Sequence, residues 1–191
     1  MTTRAKASPG YGEGREALIR AAVAVVARGG LRALTYRAVA EEAGVTHGLV
    51  RHHFGSRDAL IVAATEYSLS PALVASDVTG TAGPLSSFAS GIPSMIRDEG
   101  DLLAFQYEVI LESRRRPELK EAVRGLIHGL RRGILEDLRS HGLDASPAFG
   151  ALVMSALDGI VLHGLMLDEP RQVQASLREL RALLAAYSAT H

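Results

Sequence analysis

Apolar residues along the chain recur mostly three and four positions apart, the spacing that lines one face of a helix, and rarely alternate as a half-buried strand requires. Leu18, Ala22, Val25 and Val26 make the first stripe, over 15–28, and Gly29-Gly30 ends it. Ala38, Val39 and Ala43 turn inward on a second helix, 36–43, whose free amides the Thr35 hydroxyl can cap. Gly44 permits the left-handed turn that stops this helix, and Val45 plugs the turn. Thr46 then caps a third short helix that ends at Gly55, with Leu49, Val50 and Phe54 as its inward positions. Ser56 opens a fourth, carried by Leu60, Ile61 and Ala64 until Pro71, which cannot continue a regular helix without a kink.

Glycine and threonine dominate 79–84, which reads as a loop and the end of a linking region. A fifth helix is expected over 85–97, where Gly91 and Pro93 either kink it and open a cavity or end it early. The sixth, 101–115, is apolar almost all round, and only Asp101, Glu108, Glu112 and Arg115 form a narrow polar stripe, so most of it should be buried. The seventh, 118–140, has a clear stripe from Leu119 to Leu138 and, beside it, Gly125, Gly129 and Gly133 at every fourth position. Each interior glycine costs about 1 kcal/mol against alanine. Either a neighbouring helix packs closely there, or a ligand uses the groove, or the spacing follows from a glycine-rich and alanine-rich composition.

The eighth helix, 147–168, is the most apolar segment, and the ninth, from Pro170, carries Val173, Leu177, Leu180, Leu184 and Tyr187 as a stripe. A helix apolar on every side must be covered on every side, so the eighth and ninth helices read as a hairpin with an apolar face left over. Two copies related by a two-fold axis would form a four-helix interface.

Composition agrees with an all-α chain: 47% of the 191 residues are apolar, 5% are aromatic, and Leu and Ala dominate. With no cysteine, neither a disulfide framework nor a thiolate metal site is available. No apolar signal core opens the chain and no uninterrupted apolar run reaches the roughly 18 residues that span a bilayer, so no membrane partner and a cytoplasmic location are expected. The zero net charge hides an asymmetry, with nine Lys/Arg against six Asp/Glu in 1–68 and twelve against fifteen in 69–191. The positive end is the place to look for a polyanion. Residues 1–14, with three glycines, Pro9, Arg4 and Lys6, read as a flexible basic arm that either lies on DNA or is an inert tail.

The third helix leaves His47, Gly48, Arg51 and His52 outward. A short helix exposing donors suits a major groove, which admits one helix and displays acceptor-rich base edges. Arg57, in the first turn of the fourth helix, adds a cation where free amides already favour a phosphate.

Thr35, Val39-Ala40, Ala43-Gly44-Val45-Thr46, Gly48, His52-His53-Phe54 and Arg57-Asp58-Ala59-Leu60 together resemble the DNA-binding domain of the TetR family of bacterial transcriptional regulators. The resemblance implies an N-terminal three-helix DNA-binding domain with a helix-turn-helix at 15–68, and a C-terminal helical domain at 69–191 for effector binding and dimerisation. It also implies a homodimer and a small-molecule effector. Two positions depart from the family pattern. Arg51 stands where the family commonly has a tyrosine that touches the DNA backbone, and Val26 stands where a phenylalanine is common. Arginine can pair with phosphate or grip guanine O6 and N7, so Arg51 alters the expected operator preference.

The expected DNA-binding residues are Thr35, Arg37, Thr46, His47, Gly48, Arg51, His52 and Arg57. Arg51 is the main candidate for reading a base, His47 either contacts DNA or faces solvent, and the others position the backbone. The expected ligand-binding residues are Phe88, Ile92, Met95, Phe105, Tyr107, Leu111, Leu126, Leu130, Leu157 and Asp158, although such a stripe can equally be plain core. Asp158 either bonds an effector, bonds the partner subunit or is a satisfied structural carboxylate. Adjacent histidines diverge by roughly 100 degrees on a helix, so His47, His52 and His53 do not form a metal set. No spacing links Ser, His and Asp into a nucleophilic site, and no enzyme activity or cofactor is expected. The reading is a repressor that binds a palindromic double-stranded DNA operator as a homodimer through its eighth and ninth helices, and is released by a small apolar or aromatic effector. The alternative is a helical small-molecule-binding protein without sequence-specific DNA binding.

Overall fold

The structure, a computed structural model, describes residues 11–68 and 84–189; the rest of the expected basic arm, Pro71 and the loop expected from 79 to 83 lie outside the described residues. Every regular element described is helical: α1 Tyr11–Ala33, α2 Tyr36–Ala43, α3 His47–Phe54, α4 Arg57–Tyr67, α5 Ile92–Asp98, α6 Gly100–Glu112, α7 Lys120–Ser140, α8 Pro147–Leu167 and α9 Pro170–Ser188. Short 3-10 turns occupy Leu85–Ser87 and Pro117–Leu119.

Several boundaries differ from the sequence expectation: α6 stops at Glu112 instead of 115, and α7 begins at Lys120, after a 3-10 turn, instead of 118. Tyr11 to Gly14, expected in the arm, already belong to α1, because the helix-breaking Pro9 and Gly10 lie before them. At its other end α1 is bent rather than ended by glycine: Gly30 takes φ 68° and ψ 175°, and one more turn follows to Ala33. The expected fifth helix is broken, since Ala89 has a left-handed φ of 55° that divides the 3-10 turn from α5.

Two cores organise the chain. The first joins α1 to α4 around Leu18, Val26, Val39, Val50, Leu60 and Ile61, and it takes in Phe105 and Val109 of α6 together with Leu119 and Val123. The packing of the helix-turn-helix unit therefore continues into α6. The second core lies among Phe88, α5, the C-terminal half of α7, α8 and α9, and includes Ile92, Leu138, Val161 and Leu177. Close approach in this second body uses Gly164, where a β-carbon would meet Ile96 Cδ1 at 2.7 Å and Val173 Cγ2 at 2.8 Å.

Leu152, Met166 and Leu167 of α8 and Leu183 of α9 are exposed despite their size. By length and composition α8 is long and apolar enough to cross a membrane, the one such helix among the described residues. Asp158 and His163 interrupt its length, and it packs on α7 and α9. Among the described residues, four of the six exposed large hydrophobic side chains thus lie on the α8–α9 hairpin.

Candidate nucleic-acid interface and ligand cavity

The turn between α2 and α3 is built as its sequence dictates. The Thr35 hydroxyl accepts from the Ala38 amide at 3.1 Å, and Gly44 takes the left-handed conformation (φ 68°, ψ 34°), with its amide returned to the end of α2. Thr46 differs from expectation: it is extended at the N-cap but its side chain makes no capping hydrogen bond. Val50 and Phe54 anchor α3 from below, and the Arg15 guanidinium lies 5.3 Å from the Phe54 ring centroid, tying the start of α1 to the end of α3.

The face left outward carries His47, Gly48, Leu49, Arg51 and His52, all exposed, and no carboxylate. A β-carbon at Gly48 would meet nothing within 4 Å, so the backbone there is open to close approach from outside. Leu49 corrects the sequence reading, which had turned it inward; Val50 and Phe54, four apart, already fill the inward stripe, and Leu49 projects beside it. An exposed leucine on such a face can meet a thymine methyl. Thr35, Arg37 and Thr46 are exposed on the neighbouring α2 start and turn, so seven of the eight expected DNA-binding residues share this exposed region of α2 and α3.

Arg57 is the exception. Its Nε donates to the Leu34 carbonyl at 2.8 Å and its terminal amino group donates to the Leu31 carbonyl, which occupies the side chain with the orphan carbonyls that follow the Gly30 bend. Arg57 thus fastens α4 to α1 instead of awaiting a phosphate. Beside it Arg116 pairs with Asp58, in the first turn of α4, and with Glu118 at 2.9 Å, so the α6–α7 connection grips the same helix start.

A cavity of about 320 Å³ opens among α5, α6, α7 and α8, against the end of α4. Of the expected ligand residues, Ile92, Met95, Tyr107, Leu130, Leu157 and Asp158 line it. The remaining four do not. Phe105 is fully buried in the first core, Leu126 is fully buried, and Phe88 is buried edge-on against the His141 ring at 5.9 Å. Leu111 is 61% exposed on the outer side of α6. Helix α6 is apolar around most of its circumference, so periodicity could not say which of its apolar sides met the cavity and which met a core. The lining missed by sequence reasoning includes Leu102, Leu103, Gln106, Ile110, Ile127, Ile134 and Met154. Helical phase could have found Ile127 and Ile134, which with Leu130 follow one stripe of α7. The glycine ridge is divided in the same way: Gly133 lines the cavity, while Gly125 faces open space.

Polar groups in the cavity are few. The Tyr107 hydroxyl donates to the Asp158 backbone carbonyl at 3.2 Å, and burial, helped by the nearby Asp158 charge, raises the Tyr107 pKa. Asp158 is exposed at the cavity mouth, yet the apolar walls desolvate its carboxyl and push its pKa above the ordinary carboxylate value. Glu99 and Arg131 complete the charged lining.

Sequence spacing gave no link between Ser, His and Asp, but folding brings one such set together. His141 Nε2 lies 3.3 Å from Ser87 Oγ and its Nδ1 lies 3.5 Å from an Asp137 carboxylate oxygen. The Ser87 hydroxyl donates to the Pro84 carbonyl at 2.8 Å, and His141 Nδ1 sits 2.8 Å from the Asp137 carbonyl. With the serine hydrogen spent on backbone, the set fastens the 3-10 turn to the end of α7 and has no activated nucleophile. Both Asp137 carboxylate oxygens are buried without a hydrogen-bond partner, and desolvation raises the Asp137 pKa despite His141. Among the described residues no group of three or more His, Asp and Glu is placed to hold a metal ion.

Residues 18–64 match the family model described as bacterial regulatory proteins, tetR family, and residues 84–186 match the model described as tetracyclin repressor-like, C-terminal domain. The structure is similar to the crystal structure of a transcriptional regulator from Rhodococcus sp. Rha1, at 21% identity and a TM-score of 0.76, over 91% of this chain and 97% of that one. A member of the TetR family from Streptomyces coelicolor A3 is 28% identical with a TM-score of 0.71, over 90% and 98% of the two chains. The multidrug binding protein EbrR complexed with ethidium is 29% identical with a TM-score of 0.61, over 92% and 99%. A search of curated proteins gave no match.

Proposed function

Since the chain belongs to the TetR family of bacterial transcriptional regulators, we propose that it is a ligand-responsive repressor that binds a palindromic operator as a homodimer. The observation that carries this reading is the α3 face: His47, Gly48, Leu49, Arg51 and His52 stand outward together, without a carboxylate, on a helix held from beneath by Val50 and Phe54. Two such helices, one per protomer, enter successive major grooves on one side of the duplex. The exposed apolar positions of α8 and α9 support pairing of two chains through this hairpin. The cavity among α5 to α8 receives a small apolar or aromatic molecule, a reading supported by its lining and by the similarity to EbrR, a protein solved with ethidium. Ligand binding favours a conformation in which α4 moves and the spacing of the two α3 helices no longer fits the operator. The protein acts where the chromosome is, in the cytoplasm.

Selection of binding sites from random duplexes by the purified full chain tests this reading. Enrichment of a two-fold symmetric sequence is expected. Recovery of random sequence at moderate salt would show that the chain has no operator and leave a small-molecule-binding protein.

A further inference from the structure

We infer that the cavity's ligand is an apolar organic cation whose charge rests against Asp158; this deepens the effector reading above and rests on it. Most of the wall is apolar, with Leu103, Leu130, Ile134 and Met154 among its members, so the ligand must itself be largely apolar. The ionised groups in the wall are unbalanced: Glu99 and Asp158 stand against Arg131 alone. Among the described residues Asp158 has no cationic partner within 4.0 Å, and the Tyr107 hydroxyl is spent on its backbone carbonyl.

The Asp158 carboxylate, exposed beside the apolar wall and without a cationic partner among the described residues, gives a cation a charge to meet while the apolar body of the ligand enters the cavity. A neutral molecule in the same space gains nothing from this charge, and an anion is repelled by it. The Tyr107 ring, beside Asp158 on the facing helix, supplies a second surface that favours positive charge. At about 320 Å³ the cavity accepts one ring system or a branched ammonium of similar bulk.

The test uses phenyltrimethylammonium and its uncharged carbon isostere, tert-butylbenzene, titrated calorimetrically into the full chain and into the Asp158→Asn and Glu99→Gln variants. The wild type should bind the cation at least about tenfold more tightly than the isostere, a difference of the size a partly buried charge pair produces. In Asp158→Asn the two probes should bind within about twofold of each other, while Glu99→Gln keeps the preference. Should Asp158→Asn fail to fold, the wild type alone still decides the matter. Its preference should weaken as pH falls through the carboxylate range, because burial raises the Asp158 pKa from its ordinary value and protonation removes the charge. The titratable and charged groups that share the cavity wall with Asp158 are Glu99 before α6, Tyr107 on α6 and Arg131 on α7; of these only Glu99 is also a carboxyl, and repeating the pH series in Glu99→Gln separates the two. Equal binding of both probes to the wild type overturns the inference and leaves the cavity as a neutral-ligand site. Binding of neither probe overturns the effector cavity itself, and a preference that survives in Asp158→Asn assigns the charge selection to another group.

Discussion

Gln106 donates from Nε2 to the carbonyl of Ser68 at 3.3 Å, and both residues line the cavity. Ser68 caps the C-terminus of α4, the helix whose first turn is gripped by Arg116 and fastened to α1 by Arg57. One hydrogen bond therefore joins the ligand wall to the helix that leads toward α3. A ligand that displaced Gln106 would remove this hydrogen bond from the end of α4.

Gln106→Leu should keep the cavity apolar and the fold intact, at a cost of about 0.5–1.5 kcal/mol for one neutral hydrogen bond. Operator affinity without ligand should stay near that of the wild type, while release by ligand is blunted. Fluorescence anisotropy of labelled operator, with increasing amounts of a compound that releases the wild type, reads this directly. Release at the same compound concentration in both proteins removes Gln106 from the coupling.

Arg51 and Arg57 should separate cleanly, although the sequence placed both on DNA. Arg51→Ala removes an exposed group, so it should weaken binding to the selected operator by about 1–3 kcal/mol and relax discrimination at one base position, with little change in unfolding midpoint. Arg57→Ala leaves the Leu31 and Leu34 carbonyls unpaired and should cost about 1–3 kcal/mol of stability, read by urea denaturation. A stable Arg57→Ala protein with selectively reduced DNA affinity would return Arg57 to the interface.

Asp137 supplies a pH test of the second core. Burial raises its folded pKa above its unfolded value, so its contribution to stability is fully present below the unfolded pKa and lost as pH rises through the folded one. Asp137→Asn removes the titration and should gain on the wild type as pH rises from the ordinary carboxylate range towards neutral, by about 1–3 kcal/mol if the buried oxygens without a hydrogen bond set the scale. Thermal unfolding of both proteins across that range measures the difference. A gap that stays constant or narrows contradicts the assignment.

The double variant Leu152→Glu, Leu183→Glu places charge on the exposed apolar surface of α8 and α9. If that surface pairs two chains, light scattering should show the wild type as a dimer and the variant at about half its mass, with helix content retained. Such a charge pair on a free surface would change stability by no more than about 0.5 kcal/mol. An unchanged mass would place the contact elsewhere.

Much of the helix layout could be read from the sequence because each boundary has a local cause. Thr35 caps, Gly44 turns left-handed, and Val39 and Val50 repeat at helical spacing, all without reference to distant residues. What could not be read depends on contacts far apart in the chain. Arg57 finds the Leu31 and Leu34 carbonyls, 26 and 23 positions away, only after α4 folds back on α1. The cavity wall was half legible for the same reason. Phe105 and Tyr107 are both apolar-rich choices on α6, but their phases differ, and the first faces the core while the second faces the ligand space. Ser87, His141 and Asp137 are separated by up to 54 positions and meet through tertiary packing alone.

The central claim, that paired α3 helices read one palindrome, is tested most directly by hydroxyl-radical footprinting of the selected operator with the full wild-type chain. Two protected patches on one face of the duplex, centred about 10 base pairs apart or a multiple of that, are expected. A single patch, or uniform protection along the duplex, would contradict the account.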